Sequence, residues 1–158
     1  MIAIDRASKA LEGLSKMAEA QRIPIKTIPI DLDVEPLPGS GHPLIVADTF
    51  IDHLVLEAGN SLIEAINSRL APNAYIFISV FTEDAPGFLG MENGSETAKY
   101  VRRHFKSGEL LQLFFNLHIL DYQETTFEDT SHGQPHFDGI AKLSARRHTP
   151  PEILVETK

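Results

Sequence analysis

Three aspartates stand where short apolar runs end: Asp5 after Met1–Ile4, Asp31 after the run closing on Ile30, and Asp48 after Leu44–Ala47. A short apolar run that ends in an acid reads as a buried strand emerging at a sheet edge. A carboxylate accepts two hydrogen bonds from a vicinal diol, so an acid at a strand end in a nucleotide-binding sheet suits ribose hydroxyls. Asp5 has that chemistry and that position. Asp31 can accept from the exocyclic amine of an adenine while the Leu32 N–H reaches a ring nitrogen. Any one strand-end acid can instead cap the helix that follows, or simply mark where the chain meets water. Their joint occurrence, with strands and helices in the right order, favours a shared site.

The elements that must hold these acids alternate. Ser8 is placed to cap a helix running to about Gln21, with Leu11, Leu14, Met17 and Ala18 on one face. Ile23–Ile30 is rich in β-branched residues but contains Pro24 and Pro29, which lack the N–H a central strand donates, so it is an edge strand. A loop rich in Pro and Gly leads into Leu44–Ala47, a third buried strand. Leu62, Ile63, Ile66 and Leu70 keep helical spacing in a helix from about Val55 to Leu70, which Ala71-Pro72-Asn73 stops before the strand Tyr75–Val80. The polar stretch with Gly87, Gly90 and Gly94 is too long for an ordinary connection and reads as a functional loop. Ser107 can cap a short helix carrying Leu110, Leu111, Leu113 and Phe114. Leu117–Tyr122 is then a strand, Gln123 to Asp138 a loop, and Gly139–Ala145 the antiparallel neighbour of that strand. This order predicts an α/β fold: a mostly parallel sheet flanked by helices, with an antiparallel pair at the carboxyl end and ligands beyond the carboxyl ends of the strands. Residues 1–148 are expected to form one domain, and 149–158, beginning at Thr149-Pro150-Pro151, a tail.

Composition narrows the function. The 158-residue chain carries a formal net charge of −8, and its basic residues form only two small groups, Arg102-Arg103 with Lys106 and Arg146-Arg147-His148. Proteins that grip phosphate backbones cluster their Lys and Arg, so a small molecule is expected here and not a nucleic acid. The absence of cysteine excludes a disulfide scaffold, a thiolate zinc site and a cysteine nucleophile. The first residues do not read as a signal peptide, and no run reaches the ~18 apolar residues of a membrane span, which makes the cytoplasm the expected location. His132, His136 and Asp138 form the one histidine cluster, in a loop where the spacing does not bring two imidazoles onto one helical face, so no metal is expected. Ser79, Ser107 and Ser131 lack a nucleophile-elbow context. Asp52-His53 either orients a general base near a strand end or is an exposed polar pair at a helix start, the commoner case. Phe114, Phe115, Tyr122 and Phe127 either line an acceptor pocket or, for the first three more simply, pack the last helix onto the sheet.

The order Ile2-Ala3-Ile4-Asp5-Arg6-Ala7-Ser8, then Ile30-Asp31-Leu32-Asp33, then Leu44-Ile45-Val46-Ala47-Asp48-Thr49 resembles the second, third and fourth strand motifs of class I S-adenosylmethionine-dependent methyltransferases. Phe105-Lys106-Ser107-Gly108-Glu109-Leu110, Ile119-Leu120-Asp121-Tyr122-Gln123-Glu124, His132 and Ala141-Lys142-Leu143-Ser144-Ala145-Arg146-Arg147 are similar to the tellurite-resistance type of small methyltransferase. The resemblance covers roughly residues 1 to 147. It implies a Rossmann-like three-layer sheet, S-adenosylmethionine as cofactor and methyl transfer to a small-molecule acceptor. It also implies a cofactor site of Asp5 on the ribose with Arg6 beside it, Asp31 and Leu32 at the adenine, and Asp48-Thr49 facing the reacting end.

The family's first strand and its Gly-x-Gly turn have no counterpart in this sequence. Gly39-Ser40-Gly41 precedes a strand and is followed by His42-Pro43, the wrong context. The chain therefore reads as a methyltransferase domain truncated at the amino end, with strand edges near Ile2–Ile4 or Leu44–Val46 left unpaired or closed on each other. Unpaired apolar edges recruit partners, so self-association as a homo-oligomer is expected. The rival expectation is a non-catalytic remnant that acts as a binding or oligomerising module.

Overall fold

The structure, a computed structural model, describes residues 1–84, 100–130 and 135–148. The chain divides into two compact units, Met1–Leu37 and the residues from Pro38 onward.

The first unit is a single β-α-β turn. Strand β1 (Ile2–Asp5) and strand β2 (Lys26–Pro29) pair in parallel, from Ile2 opposite Lys26 to Asp5 opposite Pro29, and helix α1 (Ser8–Gln21) connects them. Parallel neighbours need such a crossover because a tight turn cannot reverse the chain twice. The prolines bracket β2 as a strand edge requires: Pro24 lies outside it and Pro29 ends it. Leu11 and Ala18 of α1 are buried as the spacing predicts, but Met17 is 54% exposed, at the margin of a stripe narrower than the one drawn from sequence. Ser8 does not cap this helix. Ala7 holds the cap position with no side-chain bond, and the first turn draws on Asp5 instead.

The second unit contains a four-stranded mixed sheet in the order β3-β4-β6-β5. Strand β3 (His42–Asp48) runs parallel to β4 (Leu70–Phe81), β4 antiparallel to β6 (His136–Arg146), and β6 antiparallel to β5 (His118–Asp129). A 3₁₀ turn (Ile51–His53) and helix α2 (Leu56–Arg69) lie between β3 and β4, and helix α3 (Glu109–Leu113) precedes β5. The core is built on one face of the sheet, where Ile76, Ile78, Val80, Ala141, Leu143 and Ala145 are buried together with Leu62, Ile63 and Ile66 of α2. Alternation along the strands decides this, because every second residue of β4 and β6 points to the same face.

Several expectations are corrected. Leu44–Ala47 is not a buried strand: Leu44 is 57% and Val46 59% exposed, and they share a sheet face with the exposed Tyr75 and Phe77 opposite them on β4. Ala71-Pro72-Asn73 ends α2 but already belongs to β4, with Asn73 absorbing the irregularity at φ +60°. The residues from Gln123 to Asp138 are not all loop, since β5 continues to Asp129 and β6 begins at His136, so the antiparallel pair is longer than local composition suggests. Ser107 does not cap α3; Gly108 holds that position in a left-handed conformation (φ +72°). Phe115 is 81% exposed and packs nothing onto the sheet, whereas Phe114 is fully buried. The stretch with Gly87, Gly90 and Gly94, the residues Ser131 and His132, and the 149–158 tail lie outside the described residues.

β1 pairs with β2 and β3 with β4, which leaves each with one unpaired edge among the described residues. Gly39 and Gly41, at φ +76° and +68°, serve the turn that enters β3 at its amino end, the end away from Asp48.

Candidate cofactor site

In the first unit, Asp5 is the last residue of β1 and Asp31 lies two residues past the end of β2. Each carboxylate closes a small turn through one oxygen. Asp5 Oδ1 accepts the Ala7 N–H at 2.7 Å and Asp31 Oδ1 accepts the Asp33 N–H at 3.0 Å. Bonding to the N–H two residues on is the usual local habit of aspartate after a strand, and it fixes the carboxylates where the chain leaves the sheet. The second oxygen of Asp5 accepts no bond among the described residues, and neither does the second oxygen of Asp31; the Leu32 N–H donates none. Arg6 is turned toward Asp33, with Nη1 3.5 Å from Oδ2; the arginine side chain is largely exposed and the aspartate side chain largely buried. The ends of β1 and β2 therefore present two acceptors and one donor. A groove of about 450 Å³ also runs between α1 and β2, lined by Leu11, Ser15, Thr27 and Pro29 among others, and reaches the carboxyl end of β2 at Pro29.

In the second unit, the carboxyl ends of β3 and β4 are tied together by Ser79, whose sequence context offers no nucleophile elbow. Ser79 is fully buried. Its hydroxyl donates to Asp48 Oδ1 and accepts the Thr49 N–H at 2.9 Å, while the Ser79 carbonyl accepts the same N–H at 3.1 Å. These bonds hold Thr49 at φ +43°, a left-handed conformation that β-branched residues rarely adopt. Strain of this kind persists only where the surroundings over-determine it. The signal in the sequence was a single hydroxyl inside the apolar run Tyr75-Ile76-Phe77-Ile78-Ser79-Val80, which has to find a partner if the run is buried.

The pair Asp52-His53 is not the exposed polar pair expected at a helix start. Asp52 is fully buried and staples three segments: Oδ2 accepts the Phe81 N–H at 3.0 Å, and its backbone carbonyl accepts the N–H groups of Arg102 (2.8 Å) and Arg103 (3.1 Å). Its Oδ1 is buried without a partner. Burial pushes the Asp52 carboxyl above the ordinary range, against the opposing pull of the Phe81 N–H and of His53. His53 sits half-buried, edge-on to the Phe81 ring with centroids 6.3 Å apart. Beyond β4, Thr82 pairs with Phe105, which brings Glu83 and the half-buried His104 to the same strand end. Burial lowers the His104 pKa, with Glu83 acting in the opposite sense.

A further carboxylate anchors the segment after Phe105. Glu124 accepts from the Ser107 hydroxyl at 2.6 Å, from the Gly108 N–H at 2.7 Å and from the Tyr122 hydroxyl. Burial alone would raise the Glu124 pKa, but these three donors outweigh it and the net shift is downward. Tyr122 is driven strongly upward by burial and by the carboxylate it faces. Arg103 closes the same region through Glu109 (2.5 Å) and Asn60 (3.0 Å), with its guanidinium over the Phe105 ring at 4.2 Å. Among the described residues no group of three or more His, Asp or Glu is placed to hold a metal. The His132, His136 and Asp138 cluster is not tested by that observation, because His132 and the side chain of His136 lie outside the described set.

The backbone has clear relatives among solved structures. Over 92% of its length the chain superposes on 49% of TehB from Haemophilus influenzae, with a TM-score of 0.76 at 18% identity. It covers 82% of a methyltransferase from Methanosarcina mazei described as S-adenosylmethionine-dependent, at TM-score 0.65 and 14% identity. It also covers 71% of the Burkholderia thailandensis 1,6-didemethyltoxoflavin N1-methyltransferase, solved with bound 1,6-didemethyltoxoflavin and S-adenosylhomocysteine, at TM-score 0.58 and 16% identity. The fold is that of the S-adenosylmethionine-dependent methyltransferases. The antiparallel β5–β6 pair that closes the carboxyl half of this methyltransferase fold is present as the sequence predicts. The chain spans about half the length of TehB. No protein-family model and no curated protein matches the sequence. Among the described residues no helix is long and apolar enough to cross a membrane.

Proposed function

We propose that this chain binds S-adenosylmethionine and transfers its methyl group to a small-molecule acceptor in the cytoplasm. The observation that carries the reading is Asp5, at the carboxyl end of a parallel strand with one carboxylate oxygen committed to the Ala7 N–H and the other uncommitted. That oxygen suits the ribose hydroxyls. The remaining acceptor oxygen of Asp31 and the Leu32 N–H offer the complementary pair that an adenine edge requires. Arg6 joins the ribose side by exchanging Asp33 for the ligand. The bound sulfonium supplies an already activated methyl group, so positioning the acceptor and excluding water are the main tasks left to the protein.

The residues fit the nucleoside half of the cofactor better than its methionine half. No Gly-x-Gly turn follows a strand, and the Gly39-Ser40-Gly41 stretch serves the amino end of β3. That feature, with the unpaired edges of β1 and β3, supports the second reading, a non-catalytic module that binds or oligomerises. Calorimetry with S-adenosylhomocysteine separates the two. Saturable binding removes the module reading, and Asp5→Ala should then weaken binding by roughly 1 to 3 kcal/mol through loss of charge-assisted hydrogen bonds. An unchanged dissociation constant in Asp5→Ala would reject the ribose assignment.

A further inference from the structure

We infer that His118 and His148 together chelate a late first-row divalent cation, of the class of Zn²⁺, Ni²⁺ or Cu²⁺, at the amino end of β4 and away from Asp48. The site stands independently of the methyltransferase reading above.

Strand register brings the two histidines together. His118 opens β5 and lies opposite Arg146, the last residue of β6. His148 follows Arg146 by two residues, and a strand alternates its faces with a period of two, so His148 returns to the face that Arg146 and His118 share. The Arg147 N–H donates to the Ala74 carbonyl at 2.8 Å, which keeps the chain aligned along β4 beyond the end of β6. The result is a diagonal cross-strand pair, a spacing that long side chains can bridge. Its ring centroids are 5.0 Å apart. Arg146 opposes Tyr75 whereas Asp48 opposes Ser79, four residues further along β4, so the pair stands roughly 13 Å or more from that strand-end acid.

The geometry suits a shared ion. Two imidazoles on one tetrahedral ion, each nitrogen at about 2.0 to 2.1 Å, put their ring centroids roughly 5 Å apart. The rings are inclined at 56°, neither stacked nor edge-to-face, so the usual attraction between aromatic rings does not set their arrangement. Both residues are exposed, and neither ring is hydrogen-bonded to another described residue, which leaves an imidazole lone pair on each for a ligand. The neighbouring cations are held elsewhere. Arg146 donates to Asn73 Oδ1 at 2.9 Å with its guanidinium over the Tyr75 ring, and Arg147 donates to the Leu70 carbonyl. Imidazole nitrogen favours late first-row ions, whereas Mg²⁺ and Ca²⁺ take oxygen ligands. Two protein ligands leave the other coordination positions to water, so the ion is open to solvent.

The test uses the full chain and Zn²⁺ alone. Nitrogen-15 spectra of the imidazoles should show the His118 and His148 rings shifting together and saturating with one midpoint, while Mg²⁺ at the same concentrations moves neither. His118→Ala and His148→Ala should each weaken Zn²⁺ binding at the remaining ring by about 10-fold or more, because the second ligand no longer binds intramolecularly. His132→Ala combined with His136→Ala should leave the shifts of the pair unchanged, which separates it from the other histidine cluster. Rings that respond with different midpoints, or that do not respond, overturn the inference. So does a single variant that keeps the wild-type affinity, or loss of the paired shifts in the His132 and His136 variant. Both rings are exposed, so the variants should fold as the wild-type protein does, and the wild-type titration decides the question by itself where one does not.

Discussion

Replacing Asp52 with asparagine changes one thing at a position where burial is complete. The amide oxygen can still accept the Phe81 N–H that Oδ2 accepts at 3.0 Å, and the amide nitrogen takes the place of Oδ1, which has no partner in the wild-type protein. Protonated Asp52 carries an O–H at that same unpartnered place. Asp52→Asn and the wild-type protein should therefore lie within about 1 kcal/mol of each other near pH 4, both paying for one unpaired buried donor. At higher pH they diverge. The folded-state pKa of Asp52 lies above its unfolded value, chiefly because burial penalises the charge. The folded protein thus holds this proton more tightly, and the stability associated with it is present below the unfolded pKa and lost as pH rises through the folded pKa. Each unit of upward shift is worth about 1.4 kcal/mol. The amide does not titrate and escapes this loss. Urea unfolding followed by circular dichroism at pH 4.5 and pH 8 measures the difference: Asp52→Asn should gain on the wild-type protein as pH rises. A gap that stays constant, or that moves the other way, would refute the reasoning that the carboxyl is penalised by burial. Asp52→Ala, which leaves the Phe81 N–H without an acceptor, should cost about 1 to 3 kcal/mol near pH 4.

Glu124 titrates in the opposite sense. Its three donors hold the carboxyl below its ordinary range, so its contribution is present at neutral pH and lost as pH falls through the folded pKa; Glu124→Gln should cost roughly 1 kcal/mol at pH 7 and much less near pH 3, read as a shift in urea midpoint, with solvent screening keeping the figure small. Thr49 at φ +43° should tolerate glycine, and Thr49→Gly should raise stability or leave it unchanged where an ordinary threonine-to-glycine change in a loop would lower it; a loss above about 1 kcal/mol would show that the conformation is not strained. The unpaired edges of β1 and β3, together with the exposed Leu44 and Val46, should make the chain self-associate as its concentration rises. Sedimentation would contradict that if it found a monomer with cooperative unfolding over a wide concentration range.

The elements were legible where local chemistry decides them. Helix α1 lies within a residue of where the sequence places it, and Leu11 and Ala18 at heptad separation mark its buried stripe. The antiparallel partner of Leu117–Tyr122 was legible from alternation, yet the length of the pair was not: polar residues from Gln123 to Asp129 read as loop, and only pairing with β6 makes them strand. Leu44 and Val46 misled for a related reason. An apolar run predicts burial on both faces, but burial depends on what covers the strand, which four residues cannot reveal. In the candidate site, Asp5 and Asp48 were legible by type and position. Ser79 and Asp52 were not, since a polar residue earns its place inside a core through partners distant in sequence: Ser79 through Asp48 and Thr49, Asp52 through Phe81, Arg102 and Arg103.

The most direct test of the account is a titration of the isotopically labelled full chain with S-adenosylhomocysteine, followed through its backbone amide resonances. The account predicts saturable shifts at Arg6 and Leu32, the residues adjoining the strand-end acids Asp5 and Asp31, with little change along the β5–β6 pair. Shifts that leave both residues unmoved, or no saturable shift at all, would contradict it.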